Sequence, residues 1–216
     1  RLLNVKNIKV AGNLKYYGEK KIIDGADKFL KKRFKDYKIL CAASTHANEE
    51  IFIGKLHKNL KNKYKKLITV IIPRHINRSS KIIDDMSRLG LKTIVHTTNQ
   101  KPKKNTDIYL VDSYGVSSRF YNLSKITFMG GSLINHGGQN PLEPARLGNF
   151  IINGPNIDNF KEIYSFLSKN KISSTTSNML EMKKIIIKKI NQKNNKQNIR
   201  KIRKIGNRIL EKNLFY

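Results

Sequence analysis

The residues best suited to chemistry form a run rich in glycine and polar side chains, GGSLINHGGQNPLEPA, over residues 130–145. Its two glycine pairs let the backbone approach a ligand closely. Pro141 is typical of the first turn of a helix, where unpaired backbone N–H groups can hold an anion. Glu143 in the same turn could accept hydrogen bonds from a ribose. The run predicts an anion or nucleotide site, with a glycine-rich turn before a capped helix as the structural alternative.

This run follows neither of the two common phosphate-binding patterns. It lacks the Gly-Lys-Ser/Thr ending of a Walker loop and the G-x-G-x-x-G spacing of a dinucleotide-binding turn. The sequence therefore gives no support to a P-loop nucleotidase or a nicotinamide-dependent dehydrogenase.

Three other polar segments follow apolar runs. In Ser44-Thr45-His46 the hydroxyls could merely cap a helix, but capping does not require the histidine, which is structural more often than catalytic. Arg74 comes after Pro73, where a guanidinium could meet a phosphate or could simply be a surface arginine of a basic protein. Residues 112–115 are either a turn or a set of backbone amides at a helix start.

Short apolar runs alternate with amphipathic segments through most of the chain. They predict strands at residues 7–11, 37–43, 67–72, 92–96, 107–111, 125–129 and 149–153, and helices at residues 48–64, 78–89, 115–123, 141–147 and 158–168. This alternation predicts an α/β fold, a parallel sheet with helices on both faces. Ligands of such folds bind beyond the carboxyl ends of the strands, which is where the polar segments occur.

The carboxyl-terminal part differs in composition. Residues 178–210 are rich in Lys and Ile and predict one or two helices, with Leu180, Ile187 and Ile190 as a candidate apolar stripe. Residues 191–198 are polar and of low complexity, which indicates a loop or a frayed helix. We therefore expect a Rossmann-like α/β domain over residues 1–170 and a basic helical tail over residues 171–216 that packs on it.

The net charge is +29, from 44 Lys and Arg against 15 Asp and Glu. A polyanionic partner would explain it, but so would a genome rich in A/T, because Lys, Asn and Ile are all over-used. The lysines are spread along the whole chain without interleaved aromatics on one face, which argues against a nucleic-acid partner. Anionic substrates or an anionic membrane would still be attracted.

Several other classes of protein are disfavoured. Cys41 is the only cysteine, so no disulfide framework is possible, and no apolar stretch has the ~20 residues that span a bilayer. The five histidines are scattered with no metal-ligand spacing. We predict neither a metal nor a cofactor.

Together these segments resemble the Kdo (3-deoxy-D-manno-octulosonic acid) transferases over residues 5–167. One motif alone would be weak, whereas the ordered set is specific. The resemblance rests on Gly12-Asn13-Leu14-Lys15, Ser44-Thr45-His46 with Glu49-Glu50, Pro73-Arg74-His75 with Arg78, Gly130-Gly131-Ser132, and Asn140 to Ala145.

The resemblance implies the carboxyl-terminal half of a GT-B glycosyltransferase, in which two Rossmann-like domains face each other across a cleft. That half binds CMP-Kdo, and the family transfers Kdo to a lipid A precursor at the cytoplasmic face of the bacterial inner membrane. The amino-terminal half of the family carries the membrane anchor, the acceptor groove and a Glu general base. We therefore expect this chain to bind the donor, to lie near an anionic membrane surface and to be inactive alone.

The resemblance also assigns residue roles. Lys15 matches a residue that stabilises the transition state. The expected CMP contacts are Pro73, Arg74, Tyr114, Gly115, Val116, Asn140, Pro141, Leu142 and Glu143. The expected sugar contacts are Ser44, Thr45, His46, Gly131 and Ser132.

Four positions depart from the family pattern. Val116 replaces Glu, Tyr114 replaces Met, Gln139 replaces His and Asn48 replaces Gly. The polar contact missing at Val116 leaves open a different donor, such as a UDP- or GDP-sugar. A non-catalytic basic module for nucleic acid or anionic membrane is the remaining alternative.

Overall fold

Seven parallel strands form one sheet in the computed structural model, which describes residues 24–192, 199, 200 and 202. The strand order is β3-β4-β2-β1-β5-β6-β7. The apolar runs predicted as central strands lie at the middle of this sheet, where both faces are covered. The strands are β1 (Lys38–Thr45), β2 (Leu67–Pro73), β3 (Thr93–Val95), β4 (Ile108–Leu110), β5 (Ile126–Met129), β6 (Phe150–Asn153) and β7 (Ser173–Thr175).

Helices cover both faces of the sheet, because successive side chains of a strand point to opposite sides. Along β1, Ile39, Cys41 and Ala43 face one core, while Leu40 and Ala42 face the other. The first core is completed by α1 (Asp24–Phe34), α4 (Ser117–Tyr121), α5 (Leu142–Arg146) and α6 (Lys161–Lys169). The second is completed by α2 (Glu49–Lys61), α3 (Ser79–Arg88) and α7 (Met179–Lys189).

The predicted α/β architecture is confirmed, with two elements that the sequence did not reveal. Strand β7 is the polar tripeptide Ser-Ser-Thr at the sheet edge, so it carries no apolar signal. Helix α1 is rich in lysine and begins before Gly25, which weakened its helical pattern. The predicted strand at residues 7–11 lies outside the described residues. No helix in the described part of the chain is long and apolar enough to cross a membrane.

The apolar stripe predicted for the tail is wrong at Leu180. That side chain is 66% exposed, whereas Met182, Ile186 and Ile190 are buried against the second core. These three residues recur at four-residue intervals, so they share one face of α7 and Leu180 falls on the other. Helix α7 packs against α2.

A buried polar network at the amino-terminal edge of the sheet links α2 to β2 and to the residue before β4. His57 is fully buried, with Nδ1 2.9 Å from the Thr69 hydroxyl and Nε2 3.4 Å from the Asp107 carboxylate. Lys61 lies 3.0 Å from the same carboxylate, which also accepts the Lys92 N–H. Burial tends to raise the pKa of Asp107, but the hydrogen bonds from His57, Lys92 and Lys61 outweigh it and hold that pKa well below its usual range.

We expect Asp107→Asn to lower the free energy of unfolding by about 2 kcal/mol at neutral pH, because it leaves His57 and Lys61 without their anionic partner. Urea denaturation of wild type and variant measures this difference. Asp84→Asn on the exposed face of α3 is the matched control and should change stability by less than ~0.5 kcal/mol. Equal losses in the two variants would contradict the role given to the network.

Candidate functional site

The polar segments singled out in the sequence meet at one edge of the sheet. They follow β1, β2 and β5, three adjacent strands that run in the same direction. The connections lead from β1 towards β2 on one side, whereas β5 lies on the other side of β1. Such a reversal opens a crevice at the carboxyl ends of the strands, where ligands of open α/β sheets bind.

The carboxylate of Glu49 joins two of these segments. Glu49 is the first residue of α2 and is 1% exposed. Its two oxygens accept four backbone N–H groups, from His46 at 3.0 Å, Gly131 at 2.7 Å, Ser132 at 3.0 Å and Leu133 at 3.0 Å. The turn after β1 and the loop after β5 are therefore held to one buried anion.

Glu50 fixes the third segment in the same way. Its side chain is 2% exposed and accepts two hydrogen bonds from the Arg78 guanidinium, at 2.7 and 3.3 Å. Such a paired fork is the most directional form of a carboxylate–guanidinium contact. The segment after β2 is also tied to β1 through the Arg74 N–H, which donates to the Thr45 carbonyl at 3.0 Å.

The loop after β5 needs glycine for steric reasons at its first residue. A Cβ on Gly130 would lie 2.3 Å from the Ser44 carbonyl oxygen and 2.6 Å from the Thr45 Cα. The glycine pairs predicted that the backbone approaches a ligand closely. At Gly130 the close approach is instead between β1 and β5 themselves. It brings Gly131, with φ +67, directly beside the turn after β1.

Three histidines that are distant from one another in the sequence converge at this edge. The ring of His46 lies 4.2 Å from that of His136 and 6.1 Å from that of His75, between centroids. Burial, followed by the charges of His136, His75, Arg78 and Arg74, lowers the pKa of His46 to about 4. No three His, Cys, Asp or Glu side chains of the described residues are placed to hold a metal ion.

The loop after β4 presents mostly backbone and one aromatic ring. Tyr114 is 67% exposed, Gly115 has φ +77, and Val116 packs against the first core. Strand β4 lies three strand spacings, about 14 Å, from β5 along the sheet. This loop thus borders the same edge from the side of β2.

The segment over residues 140–143 starts a helix of only five residues, α5. The Asn140 side-chain oxygen accepts the Leu142 N–H at 3.0 Å, so that first-turn donor is already used. Pro141 and Leu142 are buried, whereas Glu143 is exposed. The start of α5 therefore offers fewer free N–H groups to an anion than the sequence pattern suggested. We expect the cationic side chains nearby to contribute more to anion binding.

The predicted sugar-binding residues differ in what they offer. Ser132 is fully buried, where its hydroxyl donates to the Met129 carbonyl and accepts the Gly154 N–H, so it supports the loop from below. Thr45 is also buried, and its hydroxyl has no hydrogen-bond partner among the described residues. Lys15, the predicted transition-state stabiliser, lies outside the described residues.

In the sequence Glu49 stood out only as one residue of the segments that carry the resemblance, because its structural role comes from contacts over 80 residues away. Glu49→Gln replaces one acceptor oxygen by an NH2 group facing backbone N–H donors. We expect a loss of about 3 kcal/mol in the free energy of unfolding, measured by urea denaturation. Glu162→Gln, exposed on α6, is the control, and equal stability of the two variants would refute the role of Glu49.

Comparison with models of protein families gives no match. Among curated proteins, the chain is 35% identical over 164 residues to a 3-deoxy-D-manno-octulosonic acid transferase of Haemophilus influenzae, covering 75% of this chain and 38% of the relative. It is 31% identical over 174 residues to the enzyme of the same name from Aquifex aeolicus, covering 78% of this chain and 48% of the relative. The chain thus spans less than half of the length of these relatives.

Solved structures also match this chain. The C-terminal CMP-Kdo binding domain of WaaA from Acinetobacter baumannii matches with a TM-score of 0.72 and 25% identity, over 87% of this chain and 95% of that domain. The trehalose-6-phosphate synthase OtsA matches with a TM-score of 0.57 and 10% identity, over 92% of this chain and 45% of OtsA, which shows a shared fold. The predicted GT-B carboxyl-terminal fold is confirmed. On sequence and fold together, the chain belongs to the 3-deoxy-D-manno-octulosonic acid transferase family and corresponds to its carboxyl-terminal domain.

Proposed function

We propose that this chain binds CMP-Kdo and presents it for transfer of Kdo to a lipid A precursor, a step of lipopolysaccharide core biosynthesis. The observation that carries the proposal is the match to 95% of a domain named for CMP-Kdo binding. The family relationship and the crevice between β1 and β5 support it. The acceptor, and the general base that the family resemblance assigns to an amino-terminal domain, are part of the proposal.

The phosphate of CMP would lie over the ends of β2, β1 and β5. Arg74 extends this edge with an exposed guanidinium, and its backbone is anchored to β1. The guanidinium of Arg78 is held by Glu50, so we assign the direct phosphate contact to Arg74. A guanidinium can donate two parallel hydrogen bonds to a phosphate, which fixes its orientation as well as its charge.

The nucleoside would extend from the phosphate towards the face of the sheet where α4 and α5 contact each other, so that the ribose lies between the phosphate and the base. Exposed Tyr114 provides a ring on which a base could stack, and the space beside Gly115 is open. Pro73, at the end of β2, is buried. Asn140, Pro141, Leu142 and Glu143 border the ribose, and the exposed carboxylate of Glu143 can accept from its hydroxyls. Val116 is apolar and packed on the core, so it offers no polar contact to the base.

Transfer breaks the bond between the anomeric carbon of Kdo and the CMP phosphate oxygen, and the electron pair leaves with the phosphate. Negative charge therefore grows on the phosphate while positive charge grows on the sugar. Preorganised cations near the phosphate stabilise this transition state more than the ground state. We assign that role to Arg74 and to Lys15, with Ser44, Thr45, His46 and Gly131 around the sugar and Ser132 supporting their loop from below.

We place the protein at the cytoplasmic face of the bacterial inner membrane, where a lipid A precursor would be the acceptor. The net charge of +29 favours approach to an anionic membrane surface. Basic side chains are distributed over the whole chain, so this attraction is general rather than confined to one patch.

CMP should bind to the isolated chain and stabilise its fold. Ligand at about one hundred times its dissociation constant raises the free energy of unfolding by ~2.7 kcal/mol, which appears as a rise in the melting temperature. Calorimetry and thermal shift with CMP, UMP and GMP measure affinity and base preference. Absence of binding at millimolar CMP in the folded chain would reject the proposal, and a preference for UMP or GMP would replace the donor.

Arg74→Gln should weaken CMP binding by roughly ten- to a hundredfold, because a charge-assisted hydrogen bond contributes about 1.5–3 kcal/mol. Calorimetric titration with CMP gives the ratio of dissociation constants. Arg88→Gln at the end of α3, whose side chain is 73% exposed, is the matched control and should bind as wild type does. Similar losses in both variants would indicate general charge attraction instead of a phosphate contact.

A further inference from the structure

The histidine pair beside Gly131 is an unexplained feature of the edge. An atom placed at the Cβ position of Gly131 would lie 3.4 Å from His46 Nε2 and 3.4 Å from His136 Nδ1. Two imidazole nitrogens on different loops therefore point to one place. Any residue other than glycine at this position would fill it, and the φ of +67 would strain that residue as well.

One of these nitrogens lacks a partner. His46 is 9% exposed, and its Nε2 is buried without a hydrogen bond to any described residue. A buried polar atom left in this state is less stable than a paired one, so most such atoms in proteins have a partner. Its backbone N–H, by contrast, is bound to Glu49, which fixes the position of the residue. The ring is thus held in place with its reactive nitrogen unsatisfied.

We propose that His46 and His136 together grip an anionic oxygen of the donor beside Gly131, and that His46 takes up a proton from solution when this oxygen arrives. This inference rests on the proposed function, which supplies a donor with two such groups, the phosphate and the sugar carboxylate. Both present the same chemistry to an imidazolium. Both groups are attached to the anomeric carbon, so an oxygen of either lies close to the bond that breaks.

The electrostatics of the edge explain why the proton arrives only with the ligand. Cationic and titratable side chains surround His46 at the end of β2 and in the loop after β5. Their effect on His46 outweighs that of the two acids of α2, because these acids are already bound to backbone N–H groups or to Arg78. An anion at Gly131 offsets the positive field and supplies an acceptor for Nε2–H, so it raises the pKa of His46 from about 4. The groups around His46 are Glu49, Glu50, Arg74, His75, Arg78 and His136.

The protonation of His46 makes binding of the anion tighter at lower pH. Without ligand, His46 is neutral above about pH 4. If the bound state has a pKa near the ordinary histidine value of ~6.5, binding takes up a proton between these two values and is tighter there. Affinity for the anion should then rise on the order of tenfold between about pH 7 and pH 5.

Calorimetry with CMP in buffers of different ionisation enthalpy counts the protons taken up, and cytidine, which lacks the phosphate, is the neutral control ligand. Near pH 5.5 we expect CMP binding to take up a fraction of a proton more in wild type than in His46→Asn. CMP itself titrates in this range, but equally for both proteins, so the ratio of their affinities isolates His46. Free Kdo tests the carboxylate: uptake with Kdo and not with CMP would assign the carboxylate as the bound group.

Two further variants keep the test decisive if His46→Asn folds poorly. His136 is exposed in the loop after β5, and His136→Asn should weaken binding of the anion and reduce the proton uptake. His75→Asn makes the same change in a ring that lies 6.1 Å from His46, and it should retain the uptake. The inference alone is overturned if CMP or Kdo binds to wild type without proton uptake and binds to both His46→Asn and His136→Asn with wild-type affinity. Failure of CMP and Kdo to bind the folded wild type overturns it together with the proposed function.

Discussion

The edge of the sheet depends on one buried carboxylate. Glu49 binds backbone N–H groups from the turn after β1 and from the loop after β5, so it sets the distance between the two segments that border the crevice. Such a contact is stronger than neutral hydrogen bonds and holds backbone rather than flexible side chains. Gly130 allows the two strands to come this close, and Glu50 locks the neighbouring segment through Arg78. The arrangement is therefore rigid before any ligand arrives, which is the condition for electrostatic stabilisation of a transition state.

The same two acids also shape the field at the edge. Both are buried and bonded within the protein, so their charge is consumed in holding the loops and in neutralising Arg78. The charge of Arg78 is matched by Glu50, so the exposed guanidinium of Arg74 remains as a positive charge at the crevice. This local charge is more informative than the net charge of +29, because it comes from a particular side chain at one place and not from composition.

The alternation of apolar and amphipathic runs was enough to predict the fold, because burial on both faces imposes a pattern on every central strand. It could not reveal β7, whose polar residues pair at the edge of the sheet without entering its core. The polar segments after β1, β2 and β5 were predicted to meet at one edge of the sheet, and the strand order brings them together there. The convergence of His46 and His136 was not predictable, since it depends on loop conformations that contacts distant in sequence determine. Leu180 was misplaced for a simpler reason: several apolar residues of α7 compete for one buried face, and only packing against α2 decides between them.

The departures from the family pattern are unequal in their physical consequences. Asn48 adopts φ 72, a left-handed conformation that glycine takes freely and that asparagine tolerates better than most residues. Its exchange for glycine therefore preserves the turn that places Glu49. Val116 is different, because it packs against the core and cannot replace the hydrogen bonds of a glutamate. A base that met this loop would be recognised by Tyr114 and backbone groups alone, and stacking distinguishes bases less sharply than hydrogen bonds do. Any altered donor preference of this chain should therefore arise at the base end of the edge.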